Sequence, residues 1–450
     1  EKPRTVHTKR PFIAAGLGHS AAVLETNELI TWGLARQYQL GLDFIKDKER
    51  RNGKTEADLE PPHDCHWPEI VPALKAQGDK VVTVACASAH TLVVSDTGHV
   101  FSWGSGAFGK LGHGNDADVR IPMHVEFKRK RIARVSCGPD HSAAVSEAGE
   151  VLCWGAGSYG NLGHGDNTDC GTPKLVEALL GKPCISVACG AKHTLALSQA
   201  GGVYSWGYGG GGRLGCGDTR GLFRPKLVES LRDTHCMQIA AGESHSMALV
   251  ADRGQLYSWG VGDYGKLGHG DTTPQMLPRH LEYFRLMRLV YASGGTFCSA
   301  ACTEAGQIFT WGGGTYGKLG QSDTMNSLTP REVKNVGTGA HFVQVECGAF
   351  HTIALSKLGD IYTFGFNGNG RLGLAEPNLG VDTKQRNTPV LIKAFATQGK
   401  QDHDDAGLPV DDSHQATQAL VKALRPRRVK MLCLGGFHSA ALSDQGDVYT

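Results

Sequence analysis

Histidine recurs along this chain in a pattern that invites a chemical interpretation. Seven histidines, each followed by Ser or Thr and a run of small or apolar residues, stand in similar motifs: His19, His90, His141, His193, His245, His351 and His438. Clustered imidazoles can bind a metal ion or transfer protons. These histidines are 51 or more residues apart, and Phe297 fills the corresponding slot of another motif. We therefore expect isolated structural histidines, each hydrogen-bonded within its own unit.

Other candidate chemistry is equally sparse. The cluster His63-Asp64-Cys65-His66 lacks the CxxC or HxxxH spacing of common zinc sites, which favours a polar loop. The glycine-rich stretch SWGYGGGGRLG opens no predicted helix, and no GxxxxGK[ST] phosphate loop occurs. We predict no metal site, no cofactor and no intrinsic catalysis.

Composition narrows the class of protein. The chain has 450 residues, with 46 Lys and Arg against 44 Asp and Glu, so its formal charge is only +2. This balance argues against nucleic-acid or membrane binding through a broad basic surface. No apolar run is long enough for a spanning helix, so we expect no membrane insertion. The 61 glycines are nearly twice the usual share of about 7%.

The thirteen cysteines are few for so long a chain, and none forms a CxxC pair. Four of them lie four residues before a repeated histidine: Cys86, Cys137, Cys189 and Cys347. Because Ala or Ser fills the same slot in other units, we interpret it as a small packing position. The prediction is reduced thiols in a cytoplasmic or nuclear protein.

Seven repeat units account for most of the chain. An aromatic–Gly pair recurs at Trp32, Trp103, Trp154, Trp206, Trp259, Trp311 and Phe364, at intervals of 51 to 53 residues after a first interval of 71. A Leu–Gly pair follows each aromatic residue at an offset of eight residues, and in five units a proline follows the leucine. Regular self-similarity is typical of proteins built from stacked supersecondary units.

Inside a unit the apolar period is two, interrupted by turns such as SDTGH, SEAGE and SQAGG. This pattern predicts short antiparallel strands joined by tight turns, about four strands to a unit. One such sheet cannot bury both faces alone, whereas sheets arranged radially cover one another. We therefore predict an all-β fold, a seven-bladed β-propeller of about 52-residue repeats.

Units such as ACGAKHTLALSQAGGVYSWGYGGGGRLGCGD resemble the repeats of the regulator of chromosome condensation family. The histidine motif, aromatic–Gly, Leu–Gly and proline follow the family's order over essentially the whole chain apart from two insertions. The resemblance implies a seven-bladed propeller. The founding member is a chromatin-bound guanine-nucleotide exchange factor for the small GTPase Ran. Other members are a plant ultraviolet-B photoreceptor and propellers in large ubiquitin ligases, kinases and ciliary proteins, mostly interaction platforms.

The last twenty residues, MLCLGGFHSAALSDQGDVYT, repeat only the opening half of a unit. We predict one β-propeller domain over residues 1–450 with an extra partial repeat at its C-terminal end. Three explanations of the extra half stay open: a longer parent chain, a terminal hairpin outside a seven-bladed ring, or eight blades. Two loop insertions are predicted at about 43–66 and 394–425.

The loop before each repeated histidine is predicted to open on one face of the propeller, near its axis. Loops on a rigid scaffold often carry binding residues, and charged and aromatic side chains are common in protein contact patches. We predict five partner-binding residues, against the alternative of ordinary loop variation: Asp140, Lys192, Glu243, Phe350 and Phe437.

Asp140 also provides the residue-level link to nucleotide exchange. The resemblance implies that exchange on Ran depends on an Asp directly before one repeat histidine and on a His directly before another. Asp140 in GPDHSAAV matches the first, and no residue of this chain matches the second. The missing histidine disfavours exchange.

We therefore expect a protein–protein interaction scaffold that binds partners through its blade loops. The first alternative is a guanine-nucleotide exchange factor for a Ran-like small GTPase, associated with chromatin through basic runs at 128–131 and 425–428. The second is the substrate-recognition propeller of a larger ubiquitin ligase or kinase. A light sensor is disfavoured, because six of the seven tryptophans occupy the repeated core position.

Overall fold

The computed structural model describes most of the chain, and the statements below concern the residues it describes. These are 13–15, 19–23, 29–33, 37–42, 65–77, 80–336, 339–357, 361–367, 372, 385–391, 429–434, 439–443 and 448–449. Residues 43–64 of the first predicted insertion and the whole of the second lie outside them.

The described strands form seven four-stranded sheets and one three-stranded sheet. In every sheet the strands are antiparallel and their order follows the chain. Each four-stranded sheet is one repeat unit, which confirms the predicted all-β propeller of four-stranded blades but not the predicted number of seven blades. We number the sheets as blades 1 to 8 along the chain.

The strands are as follows. Blades 1 and 2 contain β1 (Ile13–Ala15), β2 (His19–Val23), β3 (Leu29–Gly33), β4 (Cys65–Ile70), β5 (Val81–Cys86), β6 (His90–Ser95), β7 (Val100–Gly104) and β8 (Val119–Val125). Blades 3 and 4 contain β9 (Ile132–Cys137), β10 (His141–Ser146), β11 (Val151–Gly155), β12 (Cys170–Leu175), β13 (Cys184–Cys189), β14 (His193–Ser198), β15 (Val203–Gly207) and β16 (Leu222–Leu227). Blades 5 and 6 contain β17 (Cys236–Ala241), β18 (His245–Val250), β19 (Leu256–Gly260), β20 (Gln275–His280), β21 (Leu289–Gly294), β22 (Cys298–Thr303), β23 (Ile308–Gly312) and β24 (Ser327–Glu332). Blades 7 and 8 contain β25 (Phe342–Cys347), β26 (His351–Ser356), β27 (Ile361–Gly365), β28 (Arg386–Leu391), β29 (Val429–Leu434), β30 (Ser439–Ser443) and β31 (Val448–Tyr449).

Helical segments in the described residues are short. The α-helix α1 (Pro72–Gln77) lies between blades 1 and 2. The 3₁₀ turns are Ala107–Gly109, Glu177–Leu179, Gly210–Gly212, Glu229–Leu231, Asp263–Gly265, Glu282–Phe284 and Thr315–Gly317.

The partial repeat is part of the ring. Each blade contacts the next through its first two strands, as β10 contacts β13 and β14 contacts β17. Strand β29 contacts β26 of blade 7, and β29 and β30 contact β1 of blade 1. Blade 8 therefore lies between blades 7 and 1 with three described strands. Of the explanations left open for the extra half-repeat, a hairpin outside the ring does not fit these contacts.

The hydrophobic core lies between blades. The second strands of blades 2 to 7 are buried along their whole length. The repeated aromatic residue at the end of the third strand packs against the preceding blade, as Trp206 joins Val151, Cys153 and Leu162 of blade 3 in one cluster. The glycine after the tryptophan is required sterically. At Gly155 φ is +104°, and a Cβ would lie 2.6 Å from the Asp140 carbonyl oxygen.

In blades 1 to 5 a backbone carbonyl accepts two hydrogen bonds from the next blade. The oxygen of Asn161 accepts from the Trp206 indole Nε1 and the Thr194 hydroxyl, both at 2.8 Å. The accepting residue always precedes the Leu–Gly pair. The same arrangement recurs at Gln39, Lys110, Arg213 and Lys266. We call this carbonyl and its two donors the interblade latch.

The repeated histidine extends the latch to the following blade. His141 Nε2 lies 2.9 Å from the Thr194 hydroxyl, and equivalent contacts of 2.9 to 3.0 Å join His90 to Ser142, His193 to Ser246 and His245 to Ser299. Because each hydroxyl gives its one proton to a latch carbonyl, it accepts from the imidazole, which must carry hydrogen on Nε2. The prediction that each histidine ties its own unit is wrong, because its hydroxyl partner belongs to the next blade.

The assignment of Phe297 to a histidine slot is also wrong. Cys298 pairs with Gly312 as His245 pairs with Gly260, so Cys298 fills that slot in blade 6. The turn between β18 and β19 has one more residue than its equivalents, which lengthens the histidine–tryptophan offset in blade 5 alone. In blade 6 the slot lies 13 residues before Trp311, at Cys298, whereas Phe297 lies 14 residues before it.

We expect Thr194→Val to destabilise the propeller by about 1–3 kcal/mol, measured by urea unfolding. Valine removes the hydroxyl without changing the volume, so His141 Nε2–H loses its acceptor inside a buried interface. The exposed Thr219→Val is the matched control, with an expected change within about 0.5 kcal/mol. Equal effects of the two substitutions would contradict the latch.

Acidification is expected to destabilise the propeller below about pH 6.5. Burial lowers the pKa of His141 to about 4 and the pKa of His90 and His245 to about 3, against an ordinary value of about 6.5 in the unfolded chain. The unfolded state therefore binds more protons in this interval. Stability is lost as pH falls, by up to about 1.4 kcal/mol per pH unit for each histidine.

Urea unfolding between about pH 7 and about pH 5 measures this slope. Glutamine keeps a hydrogen-bond donor near Thr194 but does not titrate, so His141→Gln should reduce the slope by one histidine's share. An unchanged slope in that variant would show that His141 does not carry the effect.

Candidate functional site

Two sets of loops meet on one face of the propeller. The inner loop joins the first and second strands of a blade, and the outer loop joins the third and fourth. A backbone hydrogen bond fastens them together: Ala156 N–H donates to the Asp140 carbonyl at 2.8 Å, and Tyr208 N–H donates to the Lys192 carbonyl at 2.8 Å. We call this surface the loop face. Its backbone is therefore fixed, while its side chains vary from blade to blade.

Long polar side chains lie just beneath the loop face. They belong to the residue immediately before the Leu–Gly pair, and most are cationic: Lys110, Arg213, Lys266 and Lys318. Burial lowers the pKa of Lys266, Lys318 and Arg213 from their ordinary values. The latch thus places a buried positive charge under the loops of several blades.

Asp140 has such a cation as its partner. Its carboxylate Oδ1 lies 3.3 Å from Lys110 Nζ, which also donates to the Pro139 carbonyl at 3.3 Å. Lys110 is almost fully buried, whereas about half of the Asp140 side chain is exposed. The carboxylate can accept a hydrogen bond from a partner without leaving Lys110. Its role in partner binding or exchange stays a prediction.

Lys192 lies among aromatic rings on blades 3 and 4. Its Nζ donates to the Tyr159 hydroxyl at 3.0 Å and lies 4.4 Å from the centre of that ring and 5.9 Å from the centre of Tyr208. The Arg213 guanidinium lies 4.9 Å from the same Tyr208 ring. These cation–π contacts hold exposed Lys192 in one position on the loop face.

Glu243 is exposed on blade 5, and its backbone connects this blade to both of its neighbours. Its N–H donates to the Gly295 carbonyl, and its carbonyl accepts from Ala191 N–H at 3.3 Å. Phe437, the fifth predicted residue, lies outside the described part of the chain. The predicted residues that are described share the loop face, but they are distributed around successive blades rather than gathered in one cluster.

Aromatic side chains cluster on the loop face of blades 5 to 7. Tyr264, Phe297, Tyr316, Phe350 and Phe366 of blades 5 to 7 form what we call the aromatic patch. The Tyr316 ring stacks on Phe366 at 4.7 Å and meets Phe350 edge-on at 5.8 Å, and Tyr264 meets Phe297 at 5.6 Å. Lys318 Nζ lies 5.0 Å from the Phe297 ring centre and 5.9 Å from Phe350. Phe350 is thus placed in the patch.

Several exposed aromatic residues of the outer loops have a backbone that favours glycine. Tyr264 and Tyr316 have φ of 61° and 63°, and their side chains are 46% and 37% exposed. Phe108 has the same conformation and exposure. Blade 4 has Gly211 at this position with φ of 70°. A large side chain in this region costs about 1 kcal/mol, and such strain is found most often at functional sites.

Sequence reasoning missed these outer-loop residues, although the signal was present. In blades 2, 3, 5 and 6 an aromatic residue stands three positions before the leucine of the Leu–Gly pair. It also missed the polar residue immediately before that leucine. Both positions lie at a constant offset from the leucine of the Leu–Gly pair, three residues and one residue before it.

The basic run at 128–131 lies on the opposite face. Lys130 Nζ contacts Glu150 Oε2 at 2.6 Å, and Arg131 lies 3.3 Å from Glu147. Lys128 and Arg129 form an exposed turn with positive φ. Half of this run is therefore paired with acidic neighbours. The run at 425–428 lies outside the described residues.

The described part of the chain contains no group of three or more His, Cys, Asp or Glu side chains placed to hold a metal ion. None of its helices has the length and apolar character needed to span a lipid bilayer.

Known structures share this architecture. The chain matches yeast Prp20, solved bound to Kap60, with a TM-score of 0.68 and 20% identity over 91% of this chain and 87% of that one. It matches human WBSCR16 with a TM-score of 0.64 and 24% identity, over 77% of this chain and 86% of that one. At these identities the likeness establishes the fold.

Sequence relatives are closer. The ultraviolet-B receptor UVR8 of Arabidopsis thaliana is 34% identical over 390 residues, which are 86% of this chain and 82% of the receptor. The human E3 ubiquitin-protein ligase HERC2 is 39% identical over 290 residues, which are 64% of this chain but only 6% of the ligase.

Family models cover nearly the whole chain. The RCC1-like domain matches residues 1–248, and the regulator of chromosome condensation (RCC1) repeat matches 253–302, 305–355 and 359–402. This match, with the propeller fold, confirms the resemblance drawn from the repeat motifs. The chain belongs to the regulator of chromosome condensation repeat family.

Proposed function

We propose that this chain is a protein-interaction propeller whose loop face docks a protein partner. The observation that carries the proposal is the aromatic patch on blades 5 to 7. Tyr264 and Tyr316 are exposed despite an unfavourable backbone conformation that Gly211 adopts without strain. Aromatic side chains held rigidly on a surface are frequent anchors of protein interfaces.

The rest of the loop face supplies the polar surroundings of such an interface. Lys192 and Glu243 are exposed, and Asp140 is half exposed. A polar rim of charged groups around an apolar centre gives specificity and orientation. Docking of this kind requires no catalytic residues. We propose that the protein acts in the cytoplasm or the nucleus.

The combined Tyr264→Gly and Tyr316→Gly variant is expected to lose partner binding while keeping its fold. Glycine relieves the positive-φ strain, as Gly211 does in blade 4, so we expect stability to change by less than about 1 kcal/mol. Proteins captured from a cell extract by the intact and variant chains are compared by quantitative mass spectrometry. At least tenfold depletion of the specific partners is expected.

The control is Leu286→Ala, which removes a 96% exposed apolar side chain from the loop between β20 and β21, on the opposite face. It should retain the partners. The proposal fails if both variants capture the same proteins as the intact chain.

Nucleotide exchange on a Ran-like GTPase is the second candidate, and Asp140 is the observation in its favour. Its carboxylate is accessible on the loop face and sits directly before a latch histidine. Yeast Prp20p, which matches with a TM-score of 0.61 and 24% identity over 75% of this chain and 80% of that one, was characterised for its binding to Gsp1p and histones. Exchange would require tighter binding of the nucleotide-free than of the nucleotide-bound GTPase.

Release of fluorescent GDP from Ran separates the two candidates. If the chain is only a docking scaffold, release stays at the rate of the GTPase alone. If the chain accelerates release, Asp140→Asn should abolish the acceleration, because it removes the charge but keeps an oxygen for Lys110 Nζ. Full acceleration by Asp140→Asn would eliminate this residue from exchange.

Substrate recognition within a larger ubiquitin ligase or kinase is compatible with the same docking face. The similarity to HERC2 covers only 6% of the ligase, so ligase activity is a property of that protein. Light sensing is not proposed, because all five tryptophans with described side chains are fully buried latch donors.

A further inference from the structure

One buried ammonium beneath the loop face lacks a hydrogen-bond acceptor. The Lys318 side chain is almost fully buried, and its Nζ lies 5.0 Å from the ring centre of Phe297 and 5.9 Å from that of Phe350. Among the described residues this Nζ donates no hydrogen bond. An ammonium has three N–H donors, and burying them unpaired is costly.

Two lysines at the equivalent position of other blades have side-chain acceptors. Lys110 Nζ lies 3.3 Å from Asp140 Oδ1, and Lys266 Nζ donates to the Ser244 hydroxyl at 2.7 Å. Both acceptors stand directly before a repeated histidine, Asp140 in the following blade and Ser244 in the same blade. This position can therefore supply the acceptor from either of two neighbouring blades.

Phenylalanine occupies both of the corresponding positions around Lys318. Phe297 precedes Cys298 in the same blade, and Phe350 precedes His351 in the following blade. The ring faces attract the cation but offer no oxygen or nitrogen to accept its hydrogen bonds. Both rings are half-buried on the loop face, so they separate the ammonium from solvent.

We propose that Lys318 Nζ binds the side-chain carboxylate of an Asp or Glu in the docked partner, which enters between Phe297 and Phe350. This inference rests on the proposed docking function and specifies the partner's chemistry. The carboxylate takes the place that Asp140 has beside Lys110 in the chain's own ion pair. Charge-assisted hydrogen bonds are stronger than neutral ones, and shielding from water strengthens them further.

The aromatic patch extends on both sides of Lys318, which favours an acidic residue inside a segment over a chain terminus. Tyr264 meets Phe297 on one side, and Tyr316 meets Phe350 on the other. Both tyrosines are exposed. A segment that crosses the face can cover both tyrosines with apolar side chains while its acidic residue reaches the ammonium.

The charges of the neighbouring blades act in the same direction. Arg213 and Lys266 are buried beneath the loops of blades 4 and 5, whereas the acidic side chains Glu243 and Asp263 are exposed. Buried charges are screened much less than exposed ones. The attraction of the cations for an anion therefore exceeds the repulsion by the solvated carboxylates, and an acidic segment is the occupant that fits.

Selection from a displayed library of random peptides on the intact folded chain tests the proposal. We expect enriched peptides with Asp or Glu at one fixed position between apolar or aromatic residues. One such peptide is synthesised with an amidated C-terminus, together with a twin in which Asn or Gln replaces the acidic residue. The acidic peptide should bind at least about tenfold more tightly than its twin, measured by fluorescence anisotropy.

Lys318→Met is the deciding variant, and Lys110→Met is its matched control. Methionine has a similar length but neither charge nor donor, so Lys318→Met should weaken binding of the acidic peptide at least about tenfold. Binding of the neutral twin should not change. Lys110→Met should bind both peptides as the intact chain does. Equal affinity of Lys318→Met and the intact chain for the acidic peptide would overturn the proposal.

Urea unfolding tests the missing acceptor independently of binding. Replacing an unpaired buried ammonium by an apolar side chain should raise the unfolding midpoint of Lys318→Met. Lys110→Met loses its ion pair with Asp140 and should show no such gain. The same curves show whether each variant folds. A lower midpoint for Lys318→Met would mean that the ammonium has a stabilising partner inside the chain, contrary to the proposal.

The variant carrying Tyr264→Gly and Tyr316→Gly separates this proposal from the docking function. If the selected peptides lack a fixed acidic residue but still need the two tyrosines, the carboxylate proposal fails and the docking function stands. If they bind the glycine variant as tightly as the intact chain, docking on the aromatic patch fails as well. The carboxylate proposal is equally overturned if the library yields no binder, or if binding requires a free C-terminal carboxylate.

Discussion

One backbone oxygen in each of blades 1 to 5 fixes that blade to the next one. The carbonyl before the Leu–Gly pair accepts the indole N–H and the hydroxyl of the next blade, so both of its lone pairs are used inside a buried interface. Buried polar groups stabilise a fold only when they are fully paired. The latch achieves this for three groups at once, and each neutral histidine donates one further hydrogen bond through Nε2. The blades are thereby fixed in register as well as packed.

Using a backbone carbonyl leaves the side chain of the same residue free to differ between blades. Gln39, Lys110, Asn161 and Arg213 form the same latch with four different side chains beneath the loops. The Lys318 carbonyl accepts the Thr352 hydroxyl, while Phe364 in the tryptophan position has no N–H to donate. Lys110 supports Asp140, whereas Lys318 lies under two phenylalanines. One residue therefore supplies both a constant backbone contact and a side chain that can vary to shape a binding surface.

The sequence was sufficient to predict the blades because each anchor has a local physical cause. Trp154 fills the space between blades, Gly155 allows the close approach of the inner loop, and Pro173 lies on the outer strand β12. The direction of the histidine bond was not predictable from the same pattern. The hydroxyl that follows each histidine is its nearest candidate in sequence, yet the true partner lies 52 to 54 residues away.

The candidate site was less predictable than the fold for a related reason. Phe350 was expected on the loop face, but its neighbours Tyr316 and Phe366 come from loops whose conformations the repeat spacing does not encode. The repeat is irregular in the same blades, because Cys298 stands at the position that holds the repeated histidine in most other blades. The buried Lys318 lies between the rings of Phe297 and Phe350 at this junction, so the irregular repeat and the aromatic patch share one cation–π contact.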